Sequence, residues 1–251
     1  MINVVIAGFR GAMGQATVQT VRNQADMKLV AVFDPHATTA DMTQLPDDVA
    51  LWTTDVDVTA ADVWIDFTTV EAAYHNAVLT IQHGIHPIIG TSGLTPQQQQ
   101  ELQQQAVTAH LGGLIVPNFG LSAVLLMKFA QEAAQYFPDA EVIEYHHGDK
   151  PDAPSGTASA TAHLIAKSRQ NAPQPTVHNE ARGADIDDVP VHAVRLPGLL
   201  AHEEVLFGGS GELLTIRQDT MDRSSFMTGV LLATRKVATL NELQIGLDKV
   251  L

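Results

Sequence analysis

The sequence predicts an α/β fold in two parts. Residues 2–7, apolar apart from Asn3, form a strand-like run that passes directly into a glycine-rich turn and a helix-like segment. Strand-like runs then alternate with helical ones as far as residue 118, the order that builds a parallel sheet with helices on its faces. Beyond residue 190 three strand-like runs follow one another with no helix between them, which requires an antiparallel or mixed sheet. The expected organisation is a Rossmann-like parallel-sheet domain from residues 1–118 and 225–251, and an α+β domain with a mixed sheet over residues 119–224.

Composition narrows the function. The 251 residues are 45% hydrophobic and 17% charged, enough apolar material for one large or two modest cores. There is no cysteine, which excludes disulfides and thiol catalysis. No apolar stretch reaches the ~18 residues of a membrane span. Met1 to Val5 enters a strand without a basic, cleavable leader, so a cytoplasmic protein with no membrane partner is expected. A formal charge of −14 argues against a nucleic-acid surface, and it means that any anion site needs a local cluster of cations.

Taken in order, the first strand runs into Gly8-Phe9-Arg10-Gly11-Ala12-Met13-Gly14 and a helix to about Asn23. The spacing is G-x-x-G-x-x-G, not the commoner G-x-G-x-x-G; such glycines either cradle phosphates or close an ordinary strand-to-helix turn. A second strand, Lys28 to Phe33, ends at Asp34, 20 residues after Gly14, where an acid would accept from a ribose 2′-hydroxyl. The plainer reading of Asp34 is a turn residue before Pro35, but strand, turn, helix, strand and acid in this order favour a nucleotide. A strand at Val63–Phe67 precedes a helix to His83, and one at His86–Ile89 ends in Gly90-Thr91-Ser92-Gly93. Thr95 and Pro96 should open a helix whose glutamine runs form a solvated face. A strand at Leu114–Val116 ends in Pro117-Asn118-Phe119. Loops at the carboxyl ends of parallel strands hold ligands, which places Gly90 to Ser92 and Asn118-Phe119 beside a nicotinamide. His75, His83, His86 and His110 have no matching partners and are incidental.

Ser122 should cap a helix to about Tyr136. A strand at Ala140–His147 then leads into Glu144-Tyr-His-His-Gly-Asp-Lys-Pro-Asp-Ala-Pro-Ser-Gly-Thr157 and a further helix. Side chains alternate along a strand, so His146 and His147 face opposite ways and cannot do the same job. Lys150 and the helix start at Ser155, Gly156 and Thr157, with its open N–H donors, complete a pocket suited to a carboxylate-bearing ligand. Arg195 is a further candidate cation. The alternatives are a solvated surface loop, or a metal site, for which three or four converging ligands are required; no metal is expected. Strands at Val191–Arg195, Glu203–Phe207 and Glu212–Gln218 follow, then a last helix, Ser225 to Thr239, returning to the first domain. Asn171 to Asp188 reads as a mobile loop.

Over essentially its full length the chain resembles the 4-hydroxy-tetrahydrodipicolinate reductase (dihydrodipicolinate reductase) family of bacterial lysine biosynthesis. The run Glu144 to Ala158 carries the resemblance, with the Gly8–Gly14 turn, Gly90-Thr-Ser-Gly93 and Pro117-Asn-Phe119 in the family's order. The resemblance implies that His146 is the acid/base residue and Lys150 the proton donor, with His147, Gly156 and Thr157 contacting substrate. It also implies nucleotide contacts from Gly8, Phe9, Arg10, Gly11, Ala12, Met13, Asp34, Gly90, Thr91, Ser92, Val116, Pro117, Asn118 and Phe119. NADH or NADPH would be the cofactor, a cyclic dicarboxylate the substrate, and the assembly a homotetramer through the sheet of the second, substrate-binding domain. Pro35 departs from members that carry a basic residue after the acid.

The implied chemistry suits these residues. Reducing a ring carbon conjugated to an imine needs a hydride at one end and a proton at the other, and the protein must supply the proton. Histidine fits that task near neutral pH, a lysine can share it while holding one carboxylate, and Ser155 to Thr157 can clamp the other. The alternatives are a dehydrogenase of another amino-acid or sugar intermediate, and a protein that senses NAD(H) without turnover.

Overall fold

The computed structural model describes residues 1–42, 45–46, 48–53, 60–171 and 179–251. These divide into two compact units, Met1–Phe119 with Phe226–Leu251, and Gly120–Ser225.

The first unit is built on a seven-stranded, wholly parallel sheet. Its strands are β1 (Ile2–Ala7), β2 (Met27–Phe33), β3 (Ala50–Trp52), β4 (Val63–Asp66), β5 (His86–Ile89), β6 (Gly113–Ile115) and β12 (Leu243–Ile245), in the order β12-β6-β5-β4-β1-β2-β3. The chain builds outward from β1 in one direction and then in the other, so a switch point falls between β1 and β4. Val4 to Ala7 are fully buried, as an unbroken apolar run with helices on both sides demands. Helices α1 (Ala12–Arg22), α3 (Val70–Gln82) and α4 (Pro96–Ala109) follow strands, and a short α2 covers Thr39–Met42. In α1 the buried Gly14, Thr17, Val18 and Val21 recur at helical spacing. Helix α4 opens as expected: the Thr95 hydroxyl accepts from the Gln98 N–H at 3.2 Å, and the Gln98 side chain accepts from the Thr95 N–H at 2.9 Å.

The second unit carries a five-stranded mixed sheet of β7 (Asp139–His146), β8 (Ala184–Ile186), β9 (Val189–Arg195), β10 (Ala201–Gly209) and β11 (Glu212–Thr220), ordered β11-β10-β7-β9-β8. Only β7 and β9 pair in parallel. Helices α5 (Leu121–Ala133) and α6 (Gly156–Ser168) pack on one face, where Leu126, Ala130, Ala162, Ile165, Val142, Val191, Val205 and Phe207 form the core. The opposite face carries the alternate residues, Glu141, Ile143 and Tyr145 of β7 with Glu204 and Leu206 of β10.

Several sequence expectations need correction. Ser122 does not cap α5: Gly120 holds the N-cap, and the Ser122 hydroxyl donates to Gln218 Oε1 at 3.1 Å. Ser122 is the second residue of the helix, two positions past the cap, and its hydroxyl is claimed by an acceptor far along the chain. The single helix expected over Ser225 to Thr239 is α7 (Ser225–Lys236) followed by a separate 3-10 turn, Val237–Thr239. Of the loop expected over 171–188, residues 172–178 lie outside the described residues, whereas Glu180–Arg182 is a 3-10 turn and Ala184–Ile186 pairs with β9. Strands β3, β8 and β12 were not foreseen; each is a three-residue strand at a sheet edge, whereas the equally short β6 lies inside its sheet.

Candidate active site

In the first unit the sequence-identified residues gather at the carboxyl edge of the sheet. Gly8 to Met13 follow β1, Asp34 follows β2, Gly90 to Ser92 follow β5, and Val116 to Phe119 follow β6. Gly8 has φ +74°, and a Cβ there would lie 2.6 Å from the Phe67 carbonyl oxygen. At Gly14 a Cβ would lie 2.3 Å from the Gly8 carbonyl, so only glycine lets α1 pack this close to the turn. Helix α1 starts at Gly11 with no side-chain cap, which leaves its first-turn donors to a ligand. These features fit a bound pyrophosphate.

Asp34 Oδ1 accepts the His36 N–H at 2.8 Å, and Arg10 Nη1 lies 3.8 Å from its other oxygen. Arg10 also donates to the His36 carbonyl at 3.1 Å and sits 3.5 Å from Asp41 Oδ1. The next strand end adds residues to which the sequence reading gave no role. Asp66, fully buried, accepts from Trp64 Nε1, the Thr68 N–H and Asn76 Nδ2 at 3.1, 2.9 and 2.8 Å, and also from the Thr68 hydroxyl. Thr68 in turn accepts from the Thr91 hydroxyl at 2.9 Å, tying the loops after β4 and β5 together. Phe67 and Phe119 meet edge to face, 5.7 Å between centroids, where a Cβ on Gly90 would strike both rings.

In the second unit the site is organised by Glu144. This carboxylate is 0% exposed, in phase with the core residues Ala140 and Val142 on β7. Its Oε1 accepts from the Ser155 N–H at 2.9 Å and Arg195 Nη2 at 2.8 Å; its Oε2 lies 2.8 Å from His146 Nδ1. The last pair is in range but out of line for a hydrogen bond, so it is an electrostatic contact that a small ring rotation would complete. Burial pushes the Glu144 carboxyl up, but His146, Ser155 and Arg195 outweigh it and hold its pKa at about 2. Ser155 also caps α6, its hydroxyl accepting from the Ala158 N–H at 3.2 Å. A Cβ on Gly156 would meet nothing within 4 Å, so the start of α6 faces open space.

The cations gathered here are not a bare positive patch, as the sequence reading expected. His147 Nδ1 lies 2.6 Å from Asp149 Oδ1, Lys150 Nζ donates to Asp152 Oδ1 at 2.6 Å, and Arg195 holds both Glu144 and the Asp152 carbonyl. The loop neutralises its own charges, and a ligand carboxylate must compete with Asp149 and Asp152 for them. His75, His83 and His86 turn to backbone carbonyls of Glu71, Leu79 and Gly112. Glu144 has no role in the sequence reading; its phase with Ala140 and Val142 is the signal that could find it, since an acid on a core face must be paired.

The family model described as dihydrodipicolinate reductase, N-terminus, matches residues 2–119, and the one described as its C-terminus matches residues 122–251. The chain is 53% identical to a 4-hydroxy-tetrahydrodipicolinate reductase of Limosilactobacillus fermentum, with all of both chains covered. It is 51% identical to the protein of that name from Lactobacillus acidophilus, over 99% of this chain and 98% of that one. Among solved structures, dipicolinate-bound dihydrodipicolinate reductase from Paenisporosarcina sp. TG-14 superposes with a TM-score of 0.91 at 43% identity, each chain covered completely.

Proposed function

The chain belongs to the dihydrodipicolinate reductase family, and on that premise we propose how its residues divide the work of reducing 4-hydroxy-tetrahydrodipicolinate in diaminopimelate and lysine biosynthesis. The net reaction consumes one hydride and one proton and releases one water. A pyridine nucleotide supplies the hydride. The Gly8–Met13 turn and the start of α1 hold its pyrophosphate, Asp34 its ribose, and Gly90 to Ser92 with Val116 to Phe119 its nicotinamide end.

The observation that carries the assignment is the ionised Glu144 held beside His146. A fixed negative charge at Nδ1 orients the ring and keeps a proton on that nitrogen, leaving Nε2 to exchange one with the substrate. His146 is the acid/base residue, and Lys150 donates the proton while engaging a substrate carboxylate. His147 with Gly156 and Thr157 of the first turn of α6 hold the second carboxylate, where the helix dipole favours negative charge. Ser155, expected from the sequence to join them, is instead buried and committed to Glu144. Exchange of Asp152 for a ligand carboxylate at Lys150 leaves the local charge unchanged, so binding does not strand the lysine. Nothing in this geometry favours NAD(H) sensing without turnover, which has no use for a paired histidine.

Replacing His146 by Gln or Lys150 by Ala is expected to lower kcat by about 100-fold or more, the range for general acid–base groups. Nucleotide affinity, measured by fluorescence titration, should change little. Near-normal turnover in both variants would remove the assignment. We further assign a homotetramer formed through the uncovered sheet face of the second unit, and a cytoplasmic location.

A further inference from the structure

A second carboxylate lies beside the site, and the function assigned above has no task for it. Glu203 of β10 is the register partner of Glu144 across the β7–β10 pair, so the two side chains leave the same face of the sheet. Directly opposed residues in an antiparallel pair stand about 5 Å apart at Cβ. Glu203 is 2% exposed, and its Oε1 is buried without a hydrogen-bond partner. Among the described residues, the basic groups of the site are committed elsewhere: Arg195 and His146 to Glu144, His147 to Asp149, Lys150 to Asp152. Apart from the Glu144 carboxylate, the groups that face Glu203 from the neighbouring elements are neutral. On β11 its register partner is Gln218, whose Oε1 already accepts from the Ser122 and Thr220 hydroxyls. From α6 comes Thr161, whose single proton is directed to the Thr157 carbonyl at 3.1 Å. Turned toward Glu203 instead, that hydroxyl would favour the carboxylate, but burial outweighs it.

We propose that Glu203 is a positioning residue that works as a neutral acid, sharing one negative charge with Glu144, and that its ionisation weakens binding of the dicarboxylate substrate. Two opposed carboxylates in one buried patch cannot both ionise without a counter-charge, and Arg195 with the Ser155 N–H selects Glu144 as the anion. Burial first, and the Glu144 charge besides, push the Glu203 carboxyl up to about 7, inside the working range of pH. Above that pH a second negative charge appears in contact with Thr161, which bonds the Thr157 carbonyl at the anion-binding end of α6. Linkage fixes the sign: an anion that raises the Glu203 pKa on binding binds less well once Glu203 has lost its proton.

This inference rests on the assignment of the dicarboxylate site, and the test separates the two. Binding of pyridine-2,6-dicarboxylate to the full chain, with NADH saturating, is measured by calorimetry between pH 6 and pH 9 for the unaltered protein and for Glu203→Gln. At pH 6 the two should agree within about twofold, because Glu203 is then mostly protonated. At pH 9 Glu203→Gln should bind about tenfold more tightly than the unaltered protein, the factor for one unit of coupled pKa shift. Histidine and lysine titrations weaken both proteins alike and cancel in the comparison. Parallel profiles would overturn the proposal. Failure of the unaltered protein to bind the dicarboxylate at any pH would instead overturn the site assignment. Should Glu203→Gln not fold, Glu203→Met is neutral, of similar volume and answers the same question.

Discussion

If Asp34 holds the ribose as proposed, Arg10 is the residue placed to temper its discrimination between nucleotides. Alone, Asp34 would accept from the 2′-hydroxyl of NADH and repel the 2′-phosphate of NADPH. Arg10 lies 3.8 Å from Asp34 and 3.5 Å from Asp41, within reach of the same region. Both pairs are solvent-accessible, and such pairs are worth about 0–1 kcal/mol, so neither charge dominates. Both nucleotides should therefore serve, with kcat/KM for NADH equal to or modestly above that for NADPH, compared at low ionic strength where screening is least. A preference for NADPH beyond about 100-fold, or about 2.7 kcal/mol, would place Asp34 away from the ribose. At the other end of the reaction, Thr157→Val removes one hydroxyl from the anion-binding turn. It should weaken competitive inhibition by pyridine-2,6-dicarboxylate by about 1–3 kcal/mol, the worth of a hydrogen bond to a charged group. An unchanged inhibition constant would move the substrate elsewhere.

At the level of elements, the β7–β10 pair carries two acids whose linkage to folding has opposite signs. Glu144 is held at about 2 against an ordinary 4.5, so it adds stability above pH 4.5 that is lost as the pH falls toward 2. Glu203 is raised from 4.5 to about 7, so its contribution is complete below pH 4.5 and is lost as the pH climbs through 7. That shift corresponds to about 3 kcal/mol. Glu203→Gln should accordingly be more stable than the unaltered protein at pH 8, by up to about that amount, with the advantage shrinking toward pH 4.5. Urea unfolding at the two pH values measures it; an advantage independent of pH would mean that Glu203 titrates normally in the folded state. Elsewhere elements are fixed more locally. The turn between β1 and α1 depends on glycines because a Cβ at Gly8 or Gly14 would strike backbone, which cannot move aside as a side chain can.

For the molecule as a whole, the proposed assembly turns on one face of the second unit's sheet. Ile143, Tyr145 and Leu206 lie on the face of the second unit's sheet opposite its helices, with Arg217 5.3 Å above the Tyr145 ring. Arg217 also holds Glu204 at 3.0 Å and Asp219 at 3.0 Å, so the face mixes apolar area with a compensated charge network, a composition suited to burial against another copy. Light scattering should report a tetramer, and Ile143→Glu, which adds an unpaired charge at the centre of that face, should yield smaller species. Because each chain carries −14, added salt should tighten association by screening repulsion between copies. A monomer at micromolar concentration in moderate salt would refute the assembly.

The sequence by itself determined the alternation of strands and helices in the first unit, the change to a mixed sheet in the second, and the turns to which function is here assigned. These are local signals: an apolar run, a glycine where a Cβ cannot fit, a Thr-Pro helix start, a histidine pair at a strand end. They survive without knowledge of what lies across the sheet. Strands β3, β8 and β12 did not show, since each is a short edge strand that forms because a neighbouring strand's edge awaits it. Ser122 pointed to a cap until the tertiary fold brought Gln218 within reach. Charge was the largest gap. The sequence showed His146, His147, Lys150 and Arg195 as cations, and only the folded chain pairs each of them with Glu144, Asp149 or Asp152. The same holds for Glu203, which lies 59 positions from Glu144 in sequence and becomes its neighbour through strand register. Pairing and burial are properties of distance in space, so the ionisation of an acid is settled by the tertiary structure.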